Sequence, residues 1–205
     1  MNILMTSIKH ISGLLLVLIF LSCRYSRATD RRATYGIEVM GMHIGQYTVN
    51  QQTRGSEIRI ETITDVEVNL IFTYRVKYVQ NSLYRDGQLW RSHVQTIKNG
   101  KVDSDVWLEK QGDNYCLKKD GESTSIHDSI TYSGSLLYFN EPKGVSFLYK
   151  ERSGEKQALK QVSDHIYILT DGKNNKTNEY EYQEGMLVRA ALVHPLATIR
   201  LEVSK

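Results

Sequence analysis

The chain has 205 residues and a formal net charge of +3, which suits one domain, or one domain behind a leader. The charge is uneven. Residues 1–34 hold Lys9, Arg24, Arg27, Arg31 and Arg32 against Asp30, a local sum of +4 that leaves −1 on the rest. A body without basic excess argues against nucleic-acid binding, whose affinity rests on neutralising phosphates.

The first element in chain order is a leader. Lys9 and His10 precede "ISGLLLVLIFL" (11–21), an uncharged apolar run that reads as a signal-peptide core, short for a bilayer span. Two cleavage readings follow. In "FLSC" (20–23) a Cys after the apolar run, with small Ser22 before it, resembles a lipobox; Cys23 is then the lipidation site and the mature N-terminus. Phe20 and Leu21 fit that motif loosely. In the alternative, Ser26-Arg27-Ala28 offers small residues to an ordinary signal peptidase, and a soluble periplasmic or secreted protein begins after Ala28. The expected organisation is a signal peptide over 1–22, a polar basic tether over 23–34 and one domain over 35–205. With Cys23 lipidated or removed, Cys116 is left alone, so no disulfide framework supports the body. Cys116, flanked by Tyr115 and Leu117, reads as a buried structural thiol.

From Tyr35 onward the pattern has period two. In "DVEVNLIFTYRVKYVQ" (65–80), Val66, Val68, Leu70, Phe72, Tyr74, Val76 and Tyr78 share one face. This predicts one long half-buried strand with a candidate break at Asp65. "IRLEVS" (199–204) alternates in the same way. Asp86-Gly87, Asn99-Gly100, Asp120-Gly121 and Asp171-Gly172 supply the positive φ values of two-residue hairpin turns, and Gly112-Asp113 and Glu184-Gly185 are related turns. Helix is expected only as one short element from Ser133 to Phe139, capped by Ser133 and stopped by Pro142. The fold class is therefore all-β: a single curved antiparallel sheet, a roll-like or barrel-like meander.

"YGIEVMGMHIGQYTV" (35–49), "FTYRVKYV" (72–79) and "LYFNEPKGVSFLYKERSGE" (137–155) together resemble an uncharacterised family of exported all-β proteins of Bacteroidota, a domain of unknown function. The resemblance spans nearly the whole body. It implies a curved antiparallel roll and an envelope location, and it brings no activity, cofactor or site residue with it.

The chemistry-bearing residues form no local motif. His10, His43, His93, His127, His165 and His194 are scattered without metal-ligand spacing, so no metal site or cofactor is expected. "GVSFL" (144–148) lacks the last Gly of a nucleophile elbow. The tempting feature is an aromatic stripe. Phe72, Tyr74, Tyr78, Trp90 and Trp107 could line an apolar cavity on a curved sheet, although strands bury aromatics as plain core. The expected function is a non-enzymatic binding or scaffold domain of the periplasm, held to a membrane by a lipid at Cys23 and able to take a protein partner or an apolar ligand. The alternative is a hydrolase whose site is assembled from separate strands.

Overall fold

The computed structural model describes residues 28–69, 73–172, 176–194 and 197–204. Eight strands follow one another as a meander: β1 (Thr29–Val39), β2 (Met42–Arg54), β3 (Glu57–Asn69), β4 (Thr73–Arg85), β5 (Gln88–Lys98), β6 (Lys101–Gln111), β7 (Asn114–Lys119) and β8 (Glu122–Ile126). A 3-10 helix (Gly134–Tyr138) comes next. Then come β9 (Phe147–Tyr149), β10 (Lys156–Ser163), β11 (Ile166–Thr170), β12 (Thr177–Gln183), β13 (Met186–Val193) and β14 (Thr198–Val203). All fourteen strands form one antiparallel sheet in the order β8-β7-β6-β5-β4-β3-β2-β1-β14-β13-β12-β11-β10-β9. The all-β curved sheet read from the periodicity is thus what the chain forms.

The turns follow their chemistry. Asp86-Gly87, Asn99-Gly100, Asp120-Gly121 and Glu184-Gly185 have positive φ at both residues, and Met40-Gly41 joins them. Asp171-Gly172 does not. There the chain makes a longer connection, closed by the Asp171 N–H donating to the Lys176 carbonyl at 2.9 Å.

The single long strand expected over 65–80 is two strands. Asn69 pairs with Thr73, Val68 with Tyr74 and Val66 with Val76, so the chain reverses around 70–72. Each such pair joins two even or two odd positions. The inward set therefore stays even through the reversal: Val66 and Tyr78 pack against the core and Val76 is half-buried, while Glu67, Arg75 and Lys77 are exposed. The period of two in the sequence continues from Asn69 to Thr73, with Leu-Ile-Phe between them and no Gly or Pro to mark the reversal. Phe72 and Leu70 lie outside the described residues.

β1 also starts earlier than expected. Thr29 to Thr34, placed in the tether by their polarity, pair with β2 from Thr29↔Thr53 onward. Ala33 is in the core, and Asp30 pairs with Arg54 at 2.6 Å. In β2, Gly45 lies beside a bulge at Ile37/Glu38 and opposite Val66. A Cβ there would overlap the Asp65 carbonyl oxygen and stand 2.9 Å from the Val66 Cα.

The one connection between non-neighbours in the sheet is β8 to β9, and these are its two edges. Residues 127–146 cross between them. The segment accepts from the Leu89 N–H through the Ile130 carbonyl (2.8 Å) and from Arg31 through the Phe139 carbonyl (2.8 Å), and it donates from Asn140 to Gln51 (3.0 Å). Ile130, Leu136, Leu137 and Phe139 are buried in the core. The gap is clasped by side chains. Asp128 accepts from Lys156 at 2.7 Å and from the Tyr149 hydroxyl, and a Cβ on Gly154 would lie 2.6 Å from Ile126 Cδ1.

Gly45→Ala is expected to lower stability by about 1–3 kcal/mol, the cost of overpacking against unyielding backbone. A urea midpoint equal to wild type would show that β2 and β3 part there freely. The Lys156 ammonium, then the Tyr149 hydroxyl and the Ser129 N–H, hold Asp128 down from 3.8 to about 2. The clasp thus contributes in full above pH 3.8 and is lost as pH falls towards 2. Asp128→Asn should flatten that part of the acid-unfolding curve, and an unchanged curve would show that the clasp carries no stability.

Candidate functional site

The inner face of the sheet divides by chemistry. On the β9–β14 and β1–β2 side it is tyrosine and leucine: Tyr35, Tyr47, Tyr167, Tyr180, Tyr182, Leu159, Leu169, Leu187 and Leu201 are all buried. Tyr138, on the 3-10 helix, stacks on Tyr47 with ring centroids 5.0 Å apart and meets Tyr35 at 5.7 Å. Such pairs add about 0.5–1.5 kcal/mol each beyond area burial. Tyrosine rather than Phe suits this interior because its hydroxyl can satisfy buried backbone. Tyr35 donates to the Leu187 carbonyl at 2.9 Å, and Tyr115 to the Leu89 carbonyl at 2.7 Å. Burial, with lesser electrostatic contributions, pushes the Tyr47 hydroxyl up to about 12 and holds Tyr84 and Tyr138 well above the usual tyrosine range.

On the β4–β6 side buried polar groups stand among Tyr84, Leu89, Val94, Val106 and Leu108. The Tyr78 hydroxyl donates to Gln80 Oε1 (2.9 Å), Gln80 donates to Ser82 (3.0 Å), and Ser82 shares a hydrogen bond with Ser92 (3.0 Å). Thr96 and Ser104 face each other in register, both buried.

At the centre is Glu151, 4% exposed and on the loop 150–155 between β9 and β10. Its Oε1 accepts from the Ser133 hydroxyl and, at 3.0 Å, from the Ser135 N–H. Ser133 Oγ also shares a hydrogen bond with the Tyr84 hydroxyl. The expected capping by Ser133 is therefore replaced: its side chain makes no cap bond, and the Glu151 carboxylate takes the N–H at the helix start. A negative group is favourable at that end, where orphan N–H groups gather. Sequence reasoning missed Glu151. It lies in "KERSGE" (150–155), a charged loop with no local signal, and its partners are 16 and 18 residues away.

Of the five residues named as cavity lining, the four that are described do not come together. Tyr78 and Tyr74 are half-buried on β4, and Phe72 lies outside the described residues. Trp90 and Trp107 are on the outer face, 44% and 37% exposed. Trp90 is the extra residue where the β4–β5 register shifts, and Arg85 lies over its ring at 5.1 Å. Trp107 sits between inward Val106 and Leu108, and stacks on His93 at 3.8 Å. That alternation was the available signal for its outward direction. His93 in turn meets Asp105 at 2.6 Å. Cys116 is half-buried on the outer face of β7, because Tyr115 and Leu117 on either side take the inner positions. Among the described residues no group of three His, Cys, Asp or Glu is placed to hold a metal ion. Cys23 lies outside the described residues.

Residues 35–204 match the family model described as a domain of unknown function, DUF6134. No curated protein matches the chain. Among solved structures, a β-barrel-like protein of the domain of unknown function DUF1849 from Brucella abortus is similar, with a TM-score of 0.61 at 10% identity, covering 88% of this chain and 98% of that one. At that identity the likeness is one of fold.

Glu151→Ala should cost about 2–4 kcal/mol, since it strands two buried donors of a charge-assisted pair. Glu151→Gln, which keeps an acceptor, should cost less than half as much. Equal urea midpoints for both variants and wild type would show that the buried carboxylate does not hold the crossing segment.

Proposed function

The chain belongs to the DUF6134 family, and from that premise we propose that it is a non-enzymatic binding or scaffold domain of a bacterial envelope, exported to the periplasm and tethered to a membrane through a lipid on Cys23. The observation that carries the non-enzymatic reading is the use to which the buried reactive pair is put. Ser133 is fully buried, and Glu151 is committed to Ser133 and the helix start. A hydroxyl with no exposed surface meets no substrate, so the pair serves the fold.

The interior also favours a scaffold over a chamber for an apolar ligand. Leu136, Leu137 and Phe139 already pack inside it, and an apolar guest against β4–β6 would shut the Thr96 and Ser104 hydroxyls, which have no partner among the described residues, away from water. That costs on the order of 1–3 kcal/mol for each unpaired group.

The tether reading rests on the leader and on where the sheet begins. With β1 starting at Thr29, a chain anchored at Cys23 has only residues 24–28 outside the sheet. Extended, that stretch reaches at most about 18 Å. The turns at Gly55, Gly87 and Gly112 lie at the same end of the sheet as Thr29, so this end would face the bilayer. Arg24 and Arg27 in the stretch suit anionic head groups, at about 1 kcal/mol each near the surface.

Mass spectrometry of the mature N-terminus decides the anchor. An acylated Cys23 is expected, and Cys23→Ser should move the protein from the membrane to the soluble fraction. A free amine on Thr29 would instead establish cleavage after Ala28 and a soluble protein.

A further inference from the structure

The outer face of β1–β6 carries an unusual row. Across six neighbouring strands the cross-strand partners run Arg32–Asn50–Glu61–Asn81–His93–Trp107. At about 4.8 Å per strand the row is roughly 24 Å long. The next row over contains Gln52, Arg59, Leu83 and Arg91, again direct partners in order. Between them lies a groove of about 400 Å³ running over β2–β5. It continues towards β1 in a second groove of about 260 Å³ that shares Asn50, Gln52 and Glu61.

Three features set this face apart from ordinary solvated sheet. Asn50 and Asn81 are mid-strand, where Asn is disfavoured. Their amides offer donor and acceptor side by side on rigid backbone. Leu83 forms an apolar floor: its position points outward, yet it is only 5% exposed, set between its partners Arg59 and Arg91. Several side chains are also held in place before any ligand arrives. Glu57 grips Arg59 at 2.6 Å, Asn50 donates to Glu61 at 3.3 Å, and His93 lies flat on Trp107 with the rings 11° from parallel. Such preorganisation lowers the entropy lost on binding.

Amides and a carboxylate in a line suit the paired hydroxyls of sugars. The Leu83 floor suits the C–H face of a pyranose. The Arg91 guanidinium on one side of the floor suits a carboxylate, which Arg binds through two parallel hydrogen bonds, while Arg59 on the other side is held by Glu57. We propose that this outer groove binds an acidic oligosaccharide, with a uronic-acid carboxylate at Arg91, sugar hydroxyls at Asn50, Asn81 and Glu61, and a pyranose ring over Leu83, at the end of the row that His93 and Trp107 close. The inference deepens the reading of the chain as a binding domain by giving it a ligand class and a surface. It does not depend on the anchor: a soluble Cys23 would leave the titration below untouched, and a flat titration would leave the anchor intact.

The chain has two tryptophans, Trp90 and Trp107. In the Trp90→Phe variant of the full-length chain held in detergent, emission therefore reports on Trp107 alone. Titration with a hexamer of galacturonic acid should give a saturable change, and a neutral β-1,4-linked glucose hexamer should bind at least tenfold more weakly. Adding Arg91→Ala should weaken the acidic hexamer at least tenfold, while Arg91→Lys, which keeps the charge but not the fork, should fall between. Where Arg91→Ala shifts the thermal midpoint, Asn81→Ala tests the same groove and should weaken binding with an unshifted midpoint. No saturable change with the acidic hexamer, equal affinity for the neutral one, or unchanged affinity in the Arg91 and Asn81 variants would each overturn the proposal.

Discussion

The fold depends on one constraint: the two edges of the sheet are joined by a chain segment that lies between them. A meander of eight strands and a second of six meet at β1 and β14, and β8 and β9 are left as ends. If those edges paired, the sheet would close. Instead residues 127–146 cross the opening, give the 3-10 helix to the interior and return as β9. Exposed edges invite pairing with other chains. Here β9 is covered in part by its own connection, through the Tyr149 N–H on the Tyr132 carbonyl and a parallel bridge between Ser133 and Tyr149.

That arrangement explains the composition of the interior. A crossing segment brings backbone carbonyls and N–H groups into the core, and each must find a partner. Tyrosines supply apolar bulk with a hydroxyl at the tip, and Glu151 supplies a carboxylate for the helix start. An all-leucine interior could not satisfy the same segment. The buried Glu151–Ser133 pair is in this sense a consequence of the topology. The proposed recognition falls to the outer surface, where side chains are ordered by their strands and reachable from solvent.

Much of this was legible in the sequence, for identifiable reasons. Asn-Gly and Asp-Gly turns announce themselves because few other residues tolerate positive φ, and the period of two announces strands. What misled was parity. The reversal between Asn69 and Thr73 keeps even residues opposite even residues, so "DVEVNLIFTYRVKYVQ" looks continuous although the chain turns inside it. The polar start of β1 looked like tether because its side chains are mostly solvated. Trp90 left the expected lining because a register shift turns it outward, which sequence order does not show, whereas the outward direction of Trp107 was legible in its alternation with Val106 and Leu108. Glu151 was invisible for a different reason: its role is defined wholly by Ser133, Ser135 and Tyr84, and no spacing rule links a loop glutamate to a distant helix start.

The central claim is that the crossing segment is permanent structure and not a movable occupant of a ligand chamber. Native-state hydrogen exchange tests it most directly. The N–H groups of Leu136 and Asn140, bonded to the Ser133 and Leu136 carbonyls, should exchange only through global unfolding, with the same protection as Leu187 and Val49 in the flanking strands. Exchange of those two amides through a separate opening of much lower free energy, with the strands still protected, would contradict the account and restore the interior as a binding site.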